Sequence, residues 1–561
     1  MRGEPPVYFA SSALGVILQD CRTCPGNAVT TRHDSRIPAC APHPPVAVVA
    51  VPPFFDFYTT RHRLSALGAQ TVAHICRSCG YTVSVRNFPA EKRRGAPIEI
   101  PPHLNHLAPH LIPNETGPLS WFTRYQRFGP EPAACADEIA AQRPLVCLLN
   151  CFAFCYSEPV RELARELKKR VDCTIIAGGG GVSCNPGWFM GCEAIDAAFV
   201  GEAECGLEHL LTSLRHQGRL PRSPVPNTWL RRRDTVLPPS RIERSSADML
   251  LPIVVPTVTS TRSVSLSRGC PLRCSFCSNH VSHGSGFRGS LHPPVMAPGA
   301  SRPEPGNRPV HLTIEDDNVL LDPGWFFDRL AHLHLLLGPF RFQFENGIDY
   351  RLLTPQLLQR LVHEGLTGLN ISIATTNPLQ ARDSNRTTDL DHYETIVRCA
   401  RQLRLPVITY FICGLGRDTV TSTAATLAWL AAQPTAIAIS PFYPVPGLEG
   451  YDELSRFAPL HPALCAGSSC YPWNATLSTV QMITAFRLSR FINVLKREDT
   501  TGAYRELIRT CRRRTRLHTM VKTGQGEVRI ADVPLQDREL VASVMDRLPG
   551  QLPQEQTGSG R

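Results

Sequence analysis

Twice along the chain, short apolar runs alternate with helix-length amphipathic stretches, a rhythm that admits few architectures. The first series places candidate strands at Val46–Val51, Tyr81–Val85, Leu145–Asn150, Thr174–Ala177 and Ala197–Val200. Residues 162–170 carry apolar side chains three and four apart with charges between them, which predicts an amphipathic helix packed on that sheet. A parallel α/β layer structure over residues 46–235 follows. The second series, Ser263–Ser267, Val310–Ile314, Arg341–Phe344, Gly368–Ile373, Val407–Ile412 and Ile437–Pro441, supplies six strands, most followed by a helix-length segment. It predicts a partial (β/α)6 barrel of TIM type over residues 261–490, with chemistry where strands end and loops begin.

Polar residues from Arg231–Arg233 to Asp248 interrupt the pattern, so residues 236–260 read as a linker. Residues 1–45, which include Cys21-x2-Cys24, read as an accessory segment. Gly, Pro and Ser crowd residues 283–307 and leave no room for an amphipathic helix, so a loop is expected there. Residues 491–561 form a basic extension containing Arg512–Arg514 and Arg516 and ending in a Gly/Ser/Gln-rich tail over 550–561, expected to be disordered.

With 42% hydrophobic and 19% charged residues, the chain can fill cores, and 561 residues exceed what one core serves. No apolar run reaches the roughly 18 residues of a membrane-spanning helix, and the run Val7–Leu18 lacks the flanks of a signal peptide. The 21 cysteines are scattered through apolar segments, unlike a secreted disulfide framework, and a reducing cytoplasm is the expected setting. The net charge of +11 suits anionic ligands without identifying one. The arginine run reads as a solvated helix face, so nucleic acid is not an expected partner.

The sequence Ser267-Arg-Gly-Cys270-Pro-Leu-Arg-Cys274-Ser-Phe-Cys277 sets three thiols in a short loop directly after the first strand of the second series. Three converging thiolates bind iron or zinc. Structural zinc takes four protein ligands, and here a distant Cys or His, such as His280 or His283, would have to complete the set. A cubane cluster on three cysteines instead leaves one iron open to a cofactor, which the spacing favours.

Cys-x3-Cys-x2-Cys with Phe276 before the last cysteine resembles the radical S-adenosylmethionine (radical SAM) signature. The resemblance implies a 4Fe-4S cluster on Cys270, Cys274 and Cys277, whose open iron chelates S-adenosylmethionine. One electron then cleaves the cofactor to a 5′-deoxyadenosyl radical, so the cofactors carry the chemistry and the protein aims it. Further segments resemble that family's barrel in order. Ile314-Glu-Asp-Asp-Asn318 offers Asp316 and Asp317 to the cofactor's amine, with an Asx-rich turn as the alternative. Gly414-Leu-Gly416-Arg-Asp-Thr resembles a glycine turn after the fifth strand, and Pro444-Val-Pro446-Gly447 a segment bordering the adenine; with Phe276 these complete the cofactor contacts implied. Two departures stand out: Ala374 replaces the carboxylate usual after the fourth strand, and the helix usual between the first two strands is missing.

Upstream, Ile175-Ile-Ala-Gly178-Gly179-Gly180-Gly181 and Ala197-Ala-Phe-Val-Gly201-Glu202 pair glycine turns with strand ends. They resemble the Rossmann-like cobalamin-binding domain that precedes many radical SAM barrels, implying corrin contacts at Gly178, Gly179, Gly180, Gly201 and Glu202 at the carboxyl edge of the sheet. The Asp-x-His-x-x-Gly loop that ligates cobalt elsewhere is absent. Cys147, Cys151 and Cys155, like Cys76/Cys79 and Cys465/Cys470, read as small buried hydrophobes rather than ligands of a second cluster. The resemblance implies an enzyme, of oxidoreductase or methyltransferase type, reduced by a low-potential donor such as flavodoxin or ferredoxin. A methylthiotransferase acting on RNA or ribosomal protein and a non-catalytic iron-sulfur or cobalamin sensor are the alternatives.

Overall fold

The computed structural model describes residues 43–60, 62–91, 95–113, 115–116, 120–257, 261–300, 309–455, 461–497, 516–522, 528–534 and 537–548. The accessory segment up to residue 42, Arg512–Arg514 and the tail 549–561 lie outside the described residues.

The first apolar series builds a seven-stranded sheet. From one edge its order is Thr235–Leu237, Thr228–Arg232, Ala197–Phe199, Thr174–Gly178, Val146–Asn150, Val46–Val51 and Thr82–Asn87. The last five are mutually parallel, while Thr228–Arg232 and Thr235–Leu237 add an antiparallel hairpin. These two strands escaped the sequence reading because one ends in two arginines and the other is only three residues long. The chain winds outward in one direction from Val46–Val51 to Thr82–Asn87 and in the other from Val146–Asn150 onward. A crevice therefore opens at the carboxyl ends of Val46–Val51 and Val146–Asn150, where such sheets bind ligands.

The second series forms six parallel strands in chain order. Thr261–Val264, Val310–Ile314 and Phe340–Phe344 pair directly, as do Leu369–Ala374, Val407–Cys413 and Ala436–Pro441; parallel bridges Phe342–Leu366 and Ile348–Ile371 join the two triplets. Helices return over the outside, begun by side-chain caps: Asp322 accepts from the Trp325 amide at 3.0 Å and Thr354 from that of Leu357 at 3.1 Å, each followed by proline at the first helical position. Phe326, Phe342, Tyr350 and Tyr393 fill the space between strands and helices.

Three stretches carry more structure than their composition suggests. Within 236–260, Ile253–Pro256 joins the barrel sheet antiparallel to Thr261–Val264. Within 283–307, Arg288–Gly289 pairs with Ser267–Arg268 and Val295–Met296 with Ile253–Pro256, so the stretch expected as a loop braces the first barrel strand; the short helix Asn279–Ser282 is all that stands where a return helix is usual. Beyond residue 490, the helix Thr479–Arg497 continues, its buried Lys496 ammonium donating to the carbonyls of Leu430, Gln433 and Thr435 at 2.8–2.9 Å. A hairpin, Arg516–Lys522 with Val528–Pro534, takes Glu115–Thr116 as a third strand. The helix Arg538–Arg547 buries Leu540, Val541, Val544 and Met545. Among the described residues no helix is long and apolar enough to cross a membrane.

Candidate functional site

The loop bearing the three thiols is held by backbone geometry before any side chain acts. Gly269 has φ +84°, and a Cβ there would lie 2.1 Å from the Gly286 carbonyl oxygen, so no other residue fits. Its amide donates to Asp317 at 2.9 Å. Asp316 turns the other way: its carboxylate accepts from the Leu266 and Ser267 amides at 2.6–3.1 Å and from the Ser267 hydroxyl. Burial pushes Asp316 up to about 6 against those hydrogen bonds. It is spent on the strand end and lines neither of the two cavities below, whereas Asp317 lines the larger. Asn318 directs its amide at the Cys270 sulfur, 3.9 Å away.

On the other side, the turn after Pro378–Asp383 braces the loop: the Ser384 carbonyl accepts from the Ser275 amide at 3.2 Å, and Asn385 donates to the Arg273 carbonyl at 3.3 Å. Arg386 donates to the Ser372 carbonyl at 3.2 Å, lies 3.6 Å from Asp349 and turns its guanidinium to the Cys274 thiol. Burial raises all three thiols, Cys277 to about 11, and each of Cys270 and Cys277 feels Cys274. Thiols raised in this way are deprotonated by binding metal.

The donor set fits a cluster better than a lone ion. The loop supplies three thiols, one short of the four protein ligands of a structural zinc site. In a cubane each thiolate takes its own iron. His283 Nδ1 sits 3.2 Å from Glu202.

A cavity of about 480 Å³ lies between the loop and the crevice of the first sheet. Gly178, Gly179, Gly180, Gly201 and Glu202 line one wall; Cys277, Ser278, Asn279 and Asp317 line the other. Gly179 has φ +106°, and a Cβ there would strike Asn150 Oδ1 at 2.5 Å, whereas one on Gly178 would meet nothing nearer than 3.9 Å. The floor is thus bare backbone, the cradle a flat macrocycle needs. Glu202 does not offer a free carboxylate to that space. It accepts from both Arg288 guanidinium nitrogens at 2.8 Å and from the Ser245 amide at 2.8 Å. Although burial alone would raise it, His283 and Arg288 hold it well below the carboxylate range.

A second cavity, about 330 Å³, occupies the barrel and is lined by Phe276, Glu345, Asn346, Gly347, Ile371, Ser372, Tyr410, Ile412, Ser440, Pro441, Phe442 and Tyr443. Of the predicted cofactor contacts in the barrel, Phe276 alone faces it. Gly414, with φ +96°, donates its amide to Asp418 at 2.9 Å; Gly416 is exposed; Pro446 is buried; and Gly447, φ +81°, packs on the Cys184 carbonyl. None of the four lines either cavity. Ala374 is fully buried with φ +58° at a register shift in its strand, a bulge that turns Ser372 to the cavity. Cys147 and Cys151 are buried in the first domain's core, Cys151 donating to the Ala153 carbonyl at 3.2 Å. Sequence reasoning missed Glu345, Asn346, Arg386, Tyr410 and Tyr443. Tyr410 carries the strand alternation that could have marked it; the rest lie in turns, where no periodicity speaks.

Comparison with known proteins adds three findings. A family model described as the radical SAM superfamily matches residues 264–430. A bacteriochlorophyllide d C-12(1)-methyltransferase of Chlorobaculum tepidum is 24% identical over 191 residues, 34% of this chain and 41% of that protein, so the chain spans about two fifths of the curated relative it matches. The radical S-adenosylmethionine methyltransferase TsrM of Kitasatospora setae, solved with cobalamin and a [4Fe-4S] cluster, superposes with TM-score 0.54 at 13% identity, covering 74% of this chain and 75% of that one. Its complex with tryptophan substrate and an S-adenosylmethionine analogue gives TM-score 0.52 at 13% identity, over 73% and 76%.

Proposed function

We propose that this chain, whose residues 264–430 match a radical SAM superfamily model, is a cobalamin-dependent radical S-adenosylmethionine methyltransferase. The observation carrying this reading is the shared cavity: the glycine edge Gly178–Gly180 and the loop residue Cys277 face each other across one space. When bound, a 4Fe-4S cluster on Cys270, Cys274 and Cys277 supplies the electron that cleaves S-adenosylmethionine, and cobalamin supplies a methyl relay.

The protein's own work is to hold and to exclude. Gly269 and Asp317 fix the turn from which the first thiol projects. Arg386 keeps a positive charge beside the second thiol, which favours the more negative, reduced form of any centre bound there. Phe276, Ile371, Ile412, Pro441 and Phe442 give the barrel cavity an apolar lining, which keeps water from a reactive carbon centre. Glu345, Asn346 and Ser372 provide polar groups there for the methionyl and ribosyl ends of S-adenosylmethionine. The bare glycine edge admits a corrin face, and the Glu202–Arg288 pair holds the two walls in register. A low-potential donor, flavodoxin or ferredoxin, completes the electron path.

The test is anaerobic reconstitution with iron and sulfide, followed by reduction with S-adenosylmethionine and assay of 5′-deoxyadenosine and bound cobalamin. Wild type should form the nucleoside and retain the corrin, and Cys270→Ala/Cys274→Ala/Cys277→Ala should form none. A fully loaded cluster that yields no 5′-deoxyadenosine sinks the reading, and cleavage without corrin retention removes its methyltransferase half.

A further inference from the structure

The thiol loop has one outward face. Its later residues look inward, Phe276 to the barrel cavity and Cys277, Ser278 and Asn279 to the interdomain cavity. Cys274 is buried, at 5% exposure. Between Cys270 and Cys274 the chain turns outward instead: Pro271 and Arg273 are exposed, and neither lines a cavity. Electron tunnelling falls off steeply with distance, so an external carrier that enters neither cavity must seat over this stretch.

The surface beside it is continuous with the loop. The Arg273 carbonyl accepts from the Asn385 side chain at 3.3 Å, and the Asn385 amide donates to the Arg382 carbonyl at 3.0 Å, so the loop lies against the end of the helix Pro378–Asp383. Leu379 and Arg382, three residues apart, share one side of that helix. Leu379 is 50% exposed and Arg382 is exposed, while Gln380 and Ala381 are buried. The Arg417 amide donates to Gln380 at 2.6 Å, which sets the exposed Arg417 guanidinium beside the helix and on Asp383. Asp383 thus answers one of three arginines; among the described residues no ion pair holds Arg273 or Arg382. The face is cationic, with Pro271 and Leu379 exposed in it, and its charges are arginines, the cation enriched at protein interfaces. Electron-transfer encounters are at the small, weak end of protein–protein contacts, and a face of this extent can seat one.

We propose that the face formed by Pro271, Arg273, Leu379, Arg382 and Arg417 is the docking surface for an acidic, one-electron carrier protein. The carrier gives up one electron and the cluster takes it up, with no covalent bond made or broken. This rests on the radical S-adenosylmethionine reading above and names the seat and the charge of its electron partner.

Stopped-flow reduction of the reconstituted holoenzyme tests it, with reduced flavodoxin as the acidic carrier and photoreduced 5-deazariboflavin as a small neutral reductant. The flavodoxin rate should fall with added salt and drop about tenfold at low ionic strength in Arg382→Glu and, separately, in Arg273→Glu. Arg143→Glu makes the same change in net charge at an exposed position before Val146–Asn150 and should keep the wild-type rate within twofold, and deazariboflavin should reduce Arg382→Glu within twofold of wild type. Hydrogen exchange of the wild type should slow over residues 378–387 when flavodoxin is added, a measurement that needs no variant to fold. A flavodoxin rate unchanged in both face variants, an equal loss in Arg143→Glu, an equal loss with deazariboflavin, or exchange that slows only elsewhere overturns the proposal. Wild-type 5′-deoxyadenosine formation, measured on the same preparation, separates the two readings: nucleoside formed with no dependence on the face overturns the docking surface alone, and reduction through the face without nucleoside overturns the enzyme reading.

Discussion

Arg288 presents two guanidinium nitrogens to Glu202, each 2.8 Å from a different carboxylate oxygen. Glu202 follows the last parallel strand of the first sheet; Arg288 sits in the stretch that replaces the return helix of the barrel. Such a bidentate pair fixes distance and angle together. Because Glu202 is 3% exposed and Arg288 is part-buried, Glu202→Gln removes the counter-charge of the guanidinium, at a cost of about 2–3 kcal/mol. Limited proteolysis should then cut the linker near residues 236–252 faster than in wild type. Since the folded carboxyl is held well below its unfolded value near 4.3, this stabilisation is full above that pH and is lost as pH falls toward the folded value. The variant's excess cleavage should accordingly be largest near neutrality and shrink below about pH 4.

Gly269→Ala should cost the cluster rather than the fold. The new Cβ meets the backbone carbonyl oxygen of Gly286 at 2.1 Å, and the positive φ adds strain of roughly 1 kcal/mol or more. The turn must open, moving Cys270 away from Cys274 and Cys277. Iron per chain after reconstitution should fall below half of wild type while the far-ultraviolet circular dichroism is unchanged; full loading would contradict the rigidity assigned to this turn.

The parallel strands of the first sheet were legible because burial on both faces leaves continuous apolar runs, as Val46–Val51 shows. The thiol loop was legible because three ligands must lie close in sequence to share one turn. What stayed hidden has physical reasons. Thr228–Arg232 carries two arginines in five residues, and Arg231 donates to the Ile195 and Cys192 carbonyls beside the neighbouring strand. Asp316 and Asp317 are neighbours with opposite tasks, one buried under Ser267 and one on the cavity, and nothing in an Asp-Asp pair says which is which. Glu202 was legible as a residue of the cavity wall; its ion pair was not, since the partner lies 86 residues away.

Asp418 gives a pH signature of opposite sign. Its carboxylate accepts from the Gly414 and Leu415 amides at 2.9 and 3.0 Å, and burial pushes it up to about 6 against those hydrogen bonds. The unfolded chain releases that proton near 3.9, so between about pH 4 and about pH 6 the folded state binds more protons and stability falls as pH rises. Asp418→Asn keeps an acceptor for both amides and removes the titration. Relative to wild type, the variant should gain on the order of 2 kcal/mol in going from pH 4 to pH 7, read from thermal midpoints of the two proteins at each pH. A difference that does not change with pH would mean the carboxyl titrates as in water.

Arg386 is the residue through which the barrel can set how readily the centre accepts an electron. It is 9% exposed, anchored on the Ser372 carbonyl and beside Asp349, and its guanidinium faces the Cys274 sulfur. Charge and hydrogen bonds at ligand sulfurs are what tune iron-sulfur potentials. Replacing it by Gln keeps a donor but removes the positive charge, which penalises the reduced, more negative centre. Loss of a charge-assisted hydrogen bond is worth about 1.5–3 kcal/mol, and for a one-electron couple about 59 mV corresponds to each tenfold change in equilibrium. The midpoint potential of reconstituted Arg386→Gln should therefore drop by about 60 mV or more in a spectroscopic redox titration, with iron content equal to wild type. An unchanged potential would reduce Arg386 to a brace between Asp349 and Ser372; a lower iron content would make it a determinant of cluster assembly instead.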